Sequence, residues 1–455
     1  MSTFLGQKPS KVLHSEEDLT HYFEAFAKPA AAAKVGIEVE LFAVHQDTGH
    51  ALPYEGPLSI HAILKQLAGG FGYEPIFEEG RIIALKRADH WVTLEPGGQV
   101  ELSAPPAWDI FEVELQVEAF LEELRQVRRQ MPGLAWLATG MQPFSALEDI
   151  TWVPKQRYAI MADHMNERGS QSHEMMKRTA TNQVNLDYVN EEQAMASMRV
   201  VLGITSIVSA MFANSCFSEG VPNGFRTRRL DIWNHTDPDR TGLLATFVRK
   251  GTKFQHYIDY LLDMPMMFIV RDNQWIRMNG LSFRHFIRDG FEGAQATLSD
   301  FELHLSTAFP EARFKQYLEI RGADGQKPSL IPAVPAFWKG ILYDEGTREA
   351  AWALVADIAP EDRLRLHHEV PKLGLSAQLA GRPILGIAEQ LVALASGGLA
   401  KQAPAKKGRN ESLFLKRIED QILRPGKSPA DKLLAAWQPS FQNDPRPLIE
   451  SLSIG

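Results

Sequence analysis

Four short segments of the chain place carboxylate and carboxamide side chains at alternate positions. They are 36–40 (Gly-Ile-Glu-Val-Glu), 99–103 (Gln-Val-Glu-Leu-Ser), 181–187 (Thr-Asn-Gln-Val-Asn-Leu-Asp) and 317–321 (Tyr-Leu-Glu-Ile-Arg). Apolar residues fill the positions between, and such period-two alternation predicts strands. Residues i and i+2 of a strand share a face. Glu38 with Glu40, Gln99 with Glu101, Gln183 with Asn185, and Glu319 with Arg321 therefore each line one side, while Val39, Val100, Val184 and Ile320 line the other. Paired together, these strands give a sheet with one apolar and one chemically loaded face.

A polar sheet face is most often only a solvated one, and a single Glu-x-Glu carries little weight. The residue choice carries more. Solvated strand faces favour Thr and Lys as well as acids, whereas these gather glutamates with a single Arg. Crowded carboxylates repel unless a cation binds them. With the carboxamide oxygens of Gln183 or Asn185 they form a hard-oxygen set suited to Mg²⁺, which takes carboxylates together with water and substrate phosphates. Glu95 joins from the turn Leu94-Glu95-Pro96-Gly97-Gly98-Gln99, where Pro-Gly-Gly can kink or bulge the chain ahead of Glu101. The chemistry expected of such a set is the holding of a nucleotide triphosphate.

A second cluster is basic: Arg226, Arg228 and Arg229 follow a Pro-Asn-Gly turn, with Trp233 and Arg240 downstream. It reads equally as a solvated loop or as an anion clamp for carboxylate and phosphate groups. Lys155, Arg157 and Arg178 add further donors. Other signatures fail. Gly426-Lys427-Ser428 lacks the upstream Gly of a phosphate loop, since position 421 is Gln. Gly70 and Gly72 lack a third glycine at dinucleotide spacing, and His173-Glu174 has Lys177 where a zinc helix needs His. His367-His368 reads as a partly exposed pair on a helix and Cys216 as inert packing.

The elements that must position these residues sit in an ordinary globular composition: 455 residues, 44% apolar, 23% charged, net charge −8. Disorder and collagen-like repeats are excluded as the main theme, and the mild acidity lacks the basic excess that drives phosphate-backbone binding. Nucleic acid is not expected as a partner. One cysteine rules out an intrachain disulfide and every zinc or redox motif that needs two thiolates, which fits a reducing compartment. The first residues show no apolar run of signal-peptide length and are acidic by position 16, so the expected address is cytoplasmic.

Helical spacing and caps predict helices over 15–26, 107–129 and 191–217, with more from 347 to 398. The uncharged stretch 200–217 carries Thr205, Ser206, Ser209, Asn214 and Ser215 and falls short of the about 20 apolar residues of a membrane span. It predicts a buried helix, with no membrane partner. No fixed-period repeat is present. The expected organisation is one catalytic domain over 1–395, a weak linker at 396–410 rich in Gly, Ala, Pro and basic residues, and a helical tail at 411–455.

The strings PKQRYAIM at 154–161, HEMMKRTATNQVNLD at 173–187, the 36–42 strand, LEPGGQVELS, HLSTAFPEARFKQYLEIRGADG and LIPAVPAFWKGILYDE resemble the plant and proteobacterial type of glutamate-cysteine ligase, in co-linear order over about 36–345. The resemblance implies an α+β, glutamine-synthetase-like fold, a curved antiparallel sheet forming a funnel surrounded by helices. It implies that ATP phosphorylates the γ-carboxylate of L-glutamate, and that the amine of L-cysteine displaces phosphate to give γ-glutamylcysteine, the first step of glutathione synthesis. By position it assigns Glu38, Glu40, Glu95, Glu101, Gln183 and Glu319 to Mg²⁺. Arg321, with Glu319, is assigned to the transferring phosphoryl group, and Arg229, Trp233, Thr181 and Asn185 to glutamate. Lys155, Arg157 and Arg178 remain as donors to ATP. A regulatory intrachain disulfide of the plant kind is excluded by the lone Cys216, while Arg226 and Arg228 exceed the pattern and take no role. Nothing in the sequence reads the thiol of the acceptor, so a ligase for another amine stays open, as does a non-catalytic nucleotide- or metal-binding protein. A monomer or homodimer is expected.

Overall fold

The computed structural model describes residues 11–402 and 410–455. One nine-stranded sheet organises the chain. Its strands are β1 (Val35–His45), β2 (Glu74–Glu78), β3 (Arg81–Arg87), β4 (His90–Leu94), β5 (Val100–Ser103), β6 (Leu134–Leu137), β7 (Asn182–Leu186), β8 (Ala312–Phe314) and β9 (Leu318–Ile320). The order is β8-β9-β7-β1-β5-β4-β3-β2, with β6 also on β1, and every pairing is antiparallel. With its helices this is the α+β class that the alternating segments predict.

The register aligns the loaded residues into rows. Glu38 lies opposite Gln183, Glu40 opposite Glu101, and Glu319 opposite both Asn185 and Arg313. Gly36 faces Asn185, where a Cβ would stand 3.2 Å from the Asn185 Cβ, so the small residue leaves the amide its room. Val39, Val100, Val184 and Ile320 are buried on the opposite side. The Pro96-Gly97-Gly98 segment is a tight hairpin turn between β4 and β5 rather than a bulge. Gly98 has φ +87°, and a Cβ on Gly97 would meet the Lys177 carbonyl at 2.2 Å.

Seven helices matter to the site: α1 (Ile110–Gln130), α2 (Gln156–Asn166), α3 (Ser172–Arg178), α4 (Glu191–Met211), α5 (Arg228–Trp233), α6 (Ala333–Leu342) and α7 (Ile384–Gln402). Helices α1, α4 and α6 pack on the sheet, and α4, apolar nearly all round, is enclosed by protein. The segment 15–26 is not an α-helix but two 3₁₀ turns, Glu16–Leu19 and Glu24–Phe26. It is too short to hold α-helix alone, and a tertiary bond from the Tyr188 hydroxyl takes the Phe23 carbonyl at 2.7 Å.

The stretch 396–402, expected in a linker, is the last part of α7, and 403–409 lie outside the described residues. Its Gly398 serves a helix crossing instead. A Cβ on Gly398 would meet the Gly340 carbonyl of α6 at 2.0 Å, and one on Gly340 the Ala395 carbonyl at 2.4 Å. The tail forms a second core, Leu433, Leu448, Ile449 and Leu452 against Phe42, Val44, Leu137 and Phe144.

A buried ion pair anchors residues 411–414. Lys339 Nζ lies 2.7 and 2.6 Å from the two Glu411 oxygens, and Glu411 also accepts the Ile110 N–H at the start of α1. Lys339→Met leaves an uncompensated buried carboxylate and is expected to cost about 3–5 kcal/mol in urea unfolding. Adding Glu411→Gln, which still accepts from Ile110, should recover at least half of that loss.

Candidate active site

The loaded face of β1, β5, β7 and β9 opens into a cleft closed by α2, α3 and α5. On its acidic side Glu38, Glu40, Glu95 and Glu101 share the wall. Glu40 accepts the Thr181 N–H at 3.0 Å and the Gln183 amide at 3.2 Å, Glu38 accepts the Asn185 amide at 3.0 Å, and Glu101 accepts the Thr93 hydroxyl. Among the described residues none of these four carboxylates has a cation within 4.0 Å. Burial, with Glu95 adding to it, pushes Glu40 up to about 8. Burial and the charges of Glu38, Glu95 and Glu40 push Glu101 well above the carboxylate range. Burial and mutual repulsion thus disfavour charge on Glu40 and Glu101 until a cation binds them.

Cations gather toward β8 and β9 at one edge of the same sheet. Glu319, 0% exposed, is ringed by Arg313, Lys315 (2.7 Å) and Arg321 (3.0 Å). Against full burial, Arg313, Lys315 and Arg321 hold its carboxyl well below the usual range. Arg321 also donates to the Gln183 carbonyl oxygen and lies over the rings of Trp233 (5.4 Å) and Phe309 (5.8 Å). Arg229, 2% exposed, donates to the Arg321 backbone carbonyl at 2.9 Å.

Buried polar atoms without a protein partner mark where a ligand is wanted. Around this cleft they are Arg229 Nε, Trp233 Nε1, Arg157 Nε and Asn185 Oδ1. Thr181 is fully committed, its hydroxyl donating to the Ala323 carbonyl at 2.6 Å and its N–H to Glu40. It shapes the wall more than it offers a donor.

Two of the three expected ATP donors are placed otherwise. Lys155 is buried and donates to the Leu94 carbonyl at 2.9 Å and the Tyr158 hydroxyl at 3.3 Å, bracing β4 just ahead of Glu95. Burial draws this amine down to about 8. Arg178 sits off the cleft wall and pairs with Glu174 at 3.2 Å. Both lie on apolar-to-polar transitions where the sequence does not say which way a long cation turns. Arg157 does line the cleft.

Arg313 and Lys315 are cleft-lining cations that the sequence reading missed. The signal was present, since 313, 315, 319 and 321 continue the same period-two pattern. Arg226 and Arg228 take surface pairs with Asp431 and Asp231. His367 corrects an expectation: it is buried, with Ser206 Oγ 3.0 Å from its Nδ1, because α4 packs over it. Cys216 is buried with its thiol 3.6 Å from the Ala430 carbonyl. Cys216→Ala is expected to keep turnover within about twofold, and the folded protein to resist thiol alkylation.

No three His, Cys, Asp or Glu side chains among the described residues form a ready-made metal cage. The donor set still fits Mg²⁺, which keeps waters and substrate phosphates and needs few protein carboxylates. Glu38, Glu40, Glu95 and Glu101 have no protein cation within 4.0 Å among the described residues and so are the carboxylates left for such an ion to pair with, whereas Glu319 is already paired with protein cations.

The family model for glutamate-cysteine ligase family 2 matches residues 34–451. Glutamate–cysteine ligase B, chloroplastic, of Oryza sativa subsp. japonica is 37% identical over 441 residues, covering 96% of this chain and 87% of its own. Glutamate–cysteine ligase, chloroplastic, of Arabidopsis thaliana is likewise 37% identical, covering 96% of this chain and 83% of its own. Among solved structures, a bifunctional glutathione synthetase from Pasteurella multocida shares the fold, with TM-score 0.51 and 11% identity over 97% of this chain and 54% of that one.

Proposed function

The chain belongs to glutamate-cysteine ligase family 2, and from that premise we propose that it joins the γ-carboxylate of L-glutamate to the amine of L-cysteine with ATP. The observation that carries the reading is the meeting of acids and cations in one cleft. Glu38, Glu40, Glu95 and Glu101, with no protein cation within 4.0 Å among the described residues, line it together with Arg321, Arg313 and Lys315, and unpartnered donors on Arg229, Trp233 and Arg157 lie around it.

Carboxylate activation by ATP places negative charge on the transferring phosphoryl group and on the leaving diphosphate. Enzymes of this kind act by positioning and by charge neutralisation. Glu38, Glu40, Glu95 and Glu101, with the Gln183 carboxamide, are the residues that would hold Mg²⁺, which supplies charge neutralisation at the phosphates. Arg321 offers a rigid, permanently charged fork to the phosphoryl oxygens, and Gln183 and Glu319 fix its direction. Arg229 and Trp233 offer their free N–H groups to glutamate. The γ-carboxylate oxygen attacks the γ-phosphorus of ATP and ADP leaves. The cysteine nitrogen then attacks the γ-carbonyl, losing a proton as phosphate departs.

Phosphate release from Mg²⁺-ATP and glutamate, with and without cysteine, tests the reading when joined to mass detection of the dipeptide. Cysteine-dependent release with γ-glutamylcysteine formed is expected. Release only with a different amine would overturn the acceptor, and no release with any amine would overturn the ligase reading. The compartment proposed is the cytoplasm, supported by the lone buried thiol, and fractionation of the native cells checks it.

A further inference from the structure

Asp324 is the penultimate residue of the HLSTAFPEARFKQYLEIRGADG string but takes no role in the metal, phosphoryl or glutamate assignments. It is 1% exposed, and three donors converge on it. Oδ2 accepts the Asn214 N–H at 2.7 Å and the Ser215 hydroxyl at 2.7 Å, while Oδ1 accepts the Thr227 hydroxyl at 3.0 Å. The two hydroxyls are not ordinary neighbours. Ser215 Oγ accepts the Arg229 N–H at 3.1 Å, and Thr227 Oγ accepts the Leu230 N–H at 3.3 Å. Both of these N–H groups belong to the first turn of α5, where backbone donors have no intrahelical partner.

A hydroxyl can rotate to donate in any direction, and a carboxylate fixes that choice. With their protons committed to Asp324, Ser215 and Thr227 present lone pairs to the helix. The start of α5 is thereby held in one place and one rotation, and α5 carries Arg229 and Trp233. Asp324 also belongs to the chain leaving β9. Its backbone bridges Thr181, and Thr181 donates to the Arg321 and Ala323 carbonyls on that same segment. The Asp324 side chain thus holds the helix of Arg229, while its backbone, through Thr181, holds the strand exit of Arg321 independently of that carboxylate. The site admits no looser arrangement: a Cβ on Gly140 would stand 2.4 Å from the Asp324 Cγ.

We propose that Asp324 is a positioning residue for the glutamate clamp, acting through the Ser215 and Thr227 hydroxyls to aim Arg229 and Trp233 into the cleft. This rests on the reading above that Arg229 and Trp233 hold glutamate. On that reading Arg321 serves the phosphoryl group at the reacting carboxylate, which leaves Arg229 and Trp233 the other end of glutamate. Misaiming the clamp weakens glutamate binding in ground and transition states alike, which raises KM for glutamate and spares kcat.

Steady-state kinetics on the full-length protein, varying each substrate in turn, provide the test. Asp324→Asn keeps the shape but turns one oxygen into a donor. It is expected to raise KM for glutamate about tenfold, with kcat and KM for ATP moving less than about twofold. Thr227→Val, which keeps the shape without the hydroxyl, should shift KM for glutamate in the same direction, and Thr227→Ser should restore it. If Asp324→Asn does not fold, the Thr227 pair decides alone. Equal rises for glutamate, cysteine and ATP, or no rescue by Thr227→Ser, would overturn the proposal in favour of general loosening. Arg229→Lys separates the two levels. If it leaves KM for glutamate unmoved, the clamp reading fails and the proposal with it. If it raises that KM while neither Asp324→Asn nor Thr227→Val does, the proposal alone fails.

Discussion

Glu101→Gln is expected to lower turnover at millimolar Mg²⁺ by at least about 100-fold while leaving the metal-free protein no less stable. The two effects have one origin. Glu101 lies opposite Glu40 in the sheet, near Glu38 and Glu95, and no cation among the described residues lies within 4.0 Å of these four. In the absence of metal each added charge in this buried group is unfavourable, so a neutral isostere relieves repulsion. The amide oxygen still accepts the Thr93 hydroxyl, which keeps the local hydrogen bond. Thermal unfolding with and without MgCl₂ separates the contributions. Wild type should gain stability with Mg²⁺ as a ligand that binds the native state, and the variant should gain less from a melting point at least as high without it. Full activity at ordinary Mg²⁺ would remove Glu101 from the metal set.

The other large effect is expected at Arg321. Arg321→Lys keeps the positive charge and is expected to lower kcat by about 1,000-fold with KM for ATP little changed, since the lost interaction belongs to the transferring group. The guanidinium is held on three sides, by Gln183, by Glu319 at 3.0 Å, and by the ring of Trp233 at 5.4 Å. A planar fork can serve these partners and still point donors at phosphoryl oxygens, whereas an ammonium on a flexible stem offers a point charge. A kcat within tenfold of wild type would place the stabilising donor elsewhere, with Arg313 and Lys315 the next residues to test.

The same Arg-rich surroundings explain why Glu319 stands apart from the other acids. In the sequence, Glu319 and Glu38 look alike, each a glutamate on a strand with a charged or carboxamide residue two positions away. In the fold Glu319 sits opposite Arg313 on one neighbour and Asn185 on the other. Lys315 reaches it from the β8–β9 turn itself. Its charge is paired directly with three protein cations, while Glu38 has none within 4.0 Å among the described residues, and only strand order could make that distinction.

Much of the site was legible because it rests on local rules. Period-two alternation fixed which side of each strand Glu38, Glu40, Glu101, Gln183 and Arg321 occupy, since adjacent side chains in extended chain point opposite ways whatever the fold. Helices α1 and α4 followed from hydrophobic spacing, in α1 with acids early and Arg late, for the same reason. The lone cysteine excluded disulfide and thiolate-metal chemistry by count alone. Tertiary structure decided everything that depends on what lies across a gap. It turned Lys155 onto the Leu94 carbonyl and Arg178 onto Glu174, because a long flexible cation goes to the nearest buried acceptor, and sequence spacing does not contain that distance. It buried His367 under α4, and it made Gly340 and Gly398 the contact of two helices where composition suggested a linker. It also brought Asp324 beneath two hydroxyls about a hundred residues away in the chain, since hydrogen bonding there depends on positions within a few tenths of an ångström that only the packed fold sets.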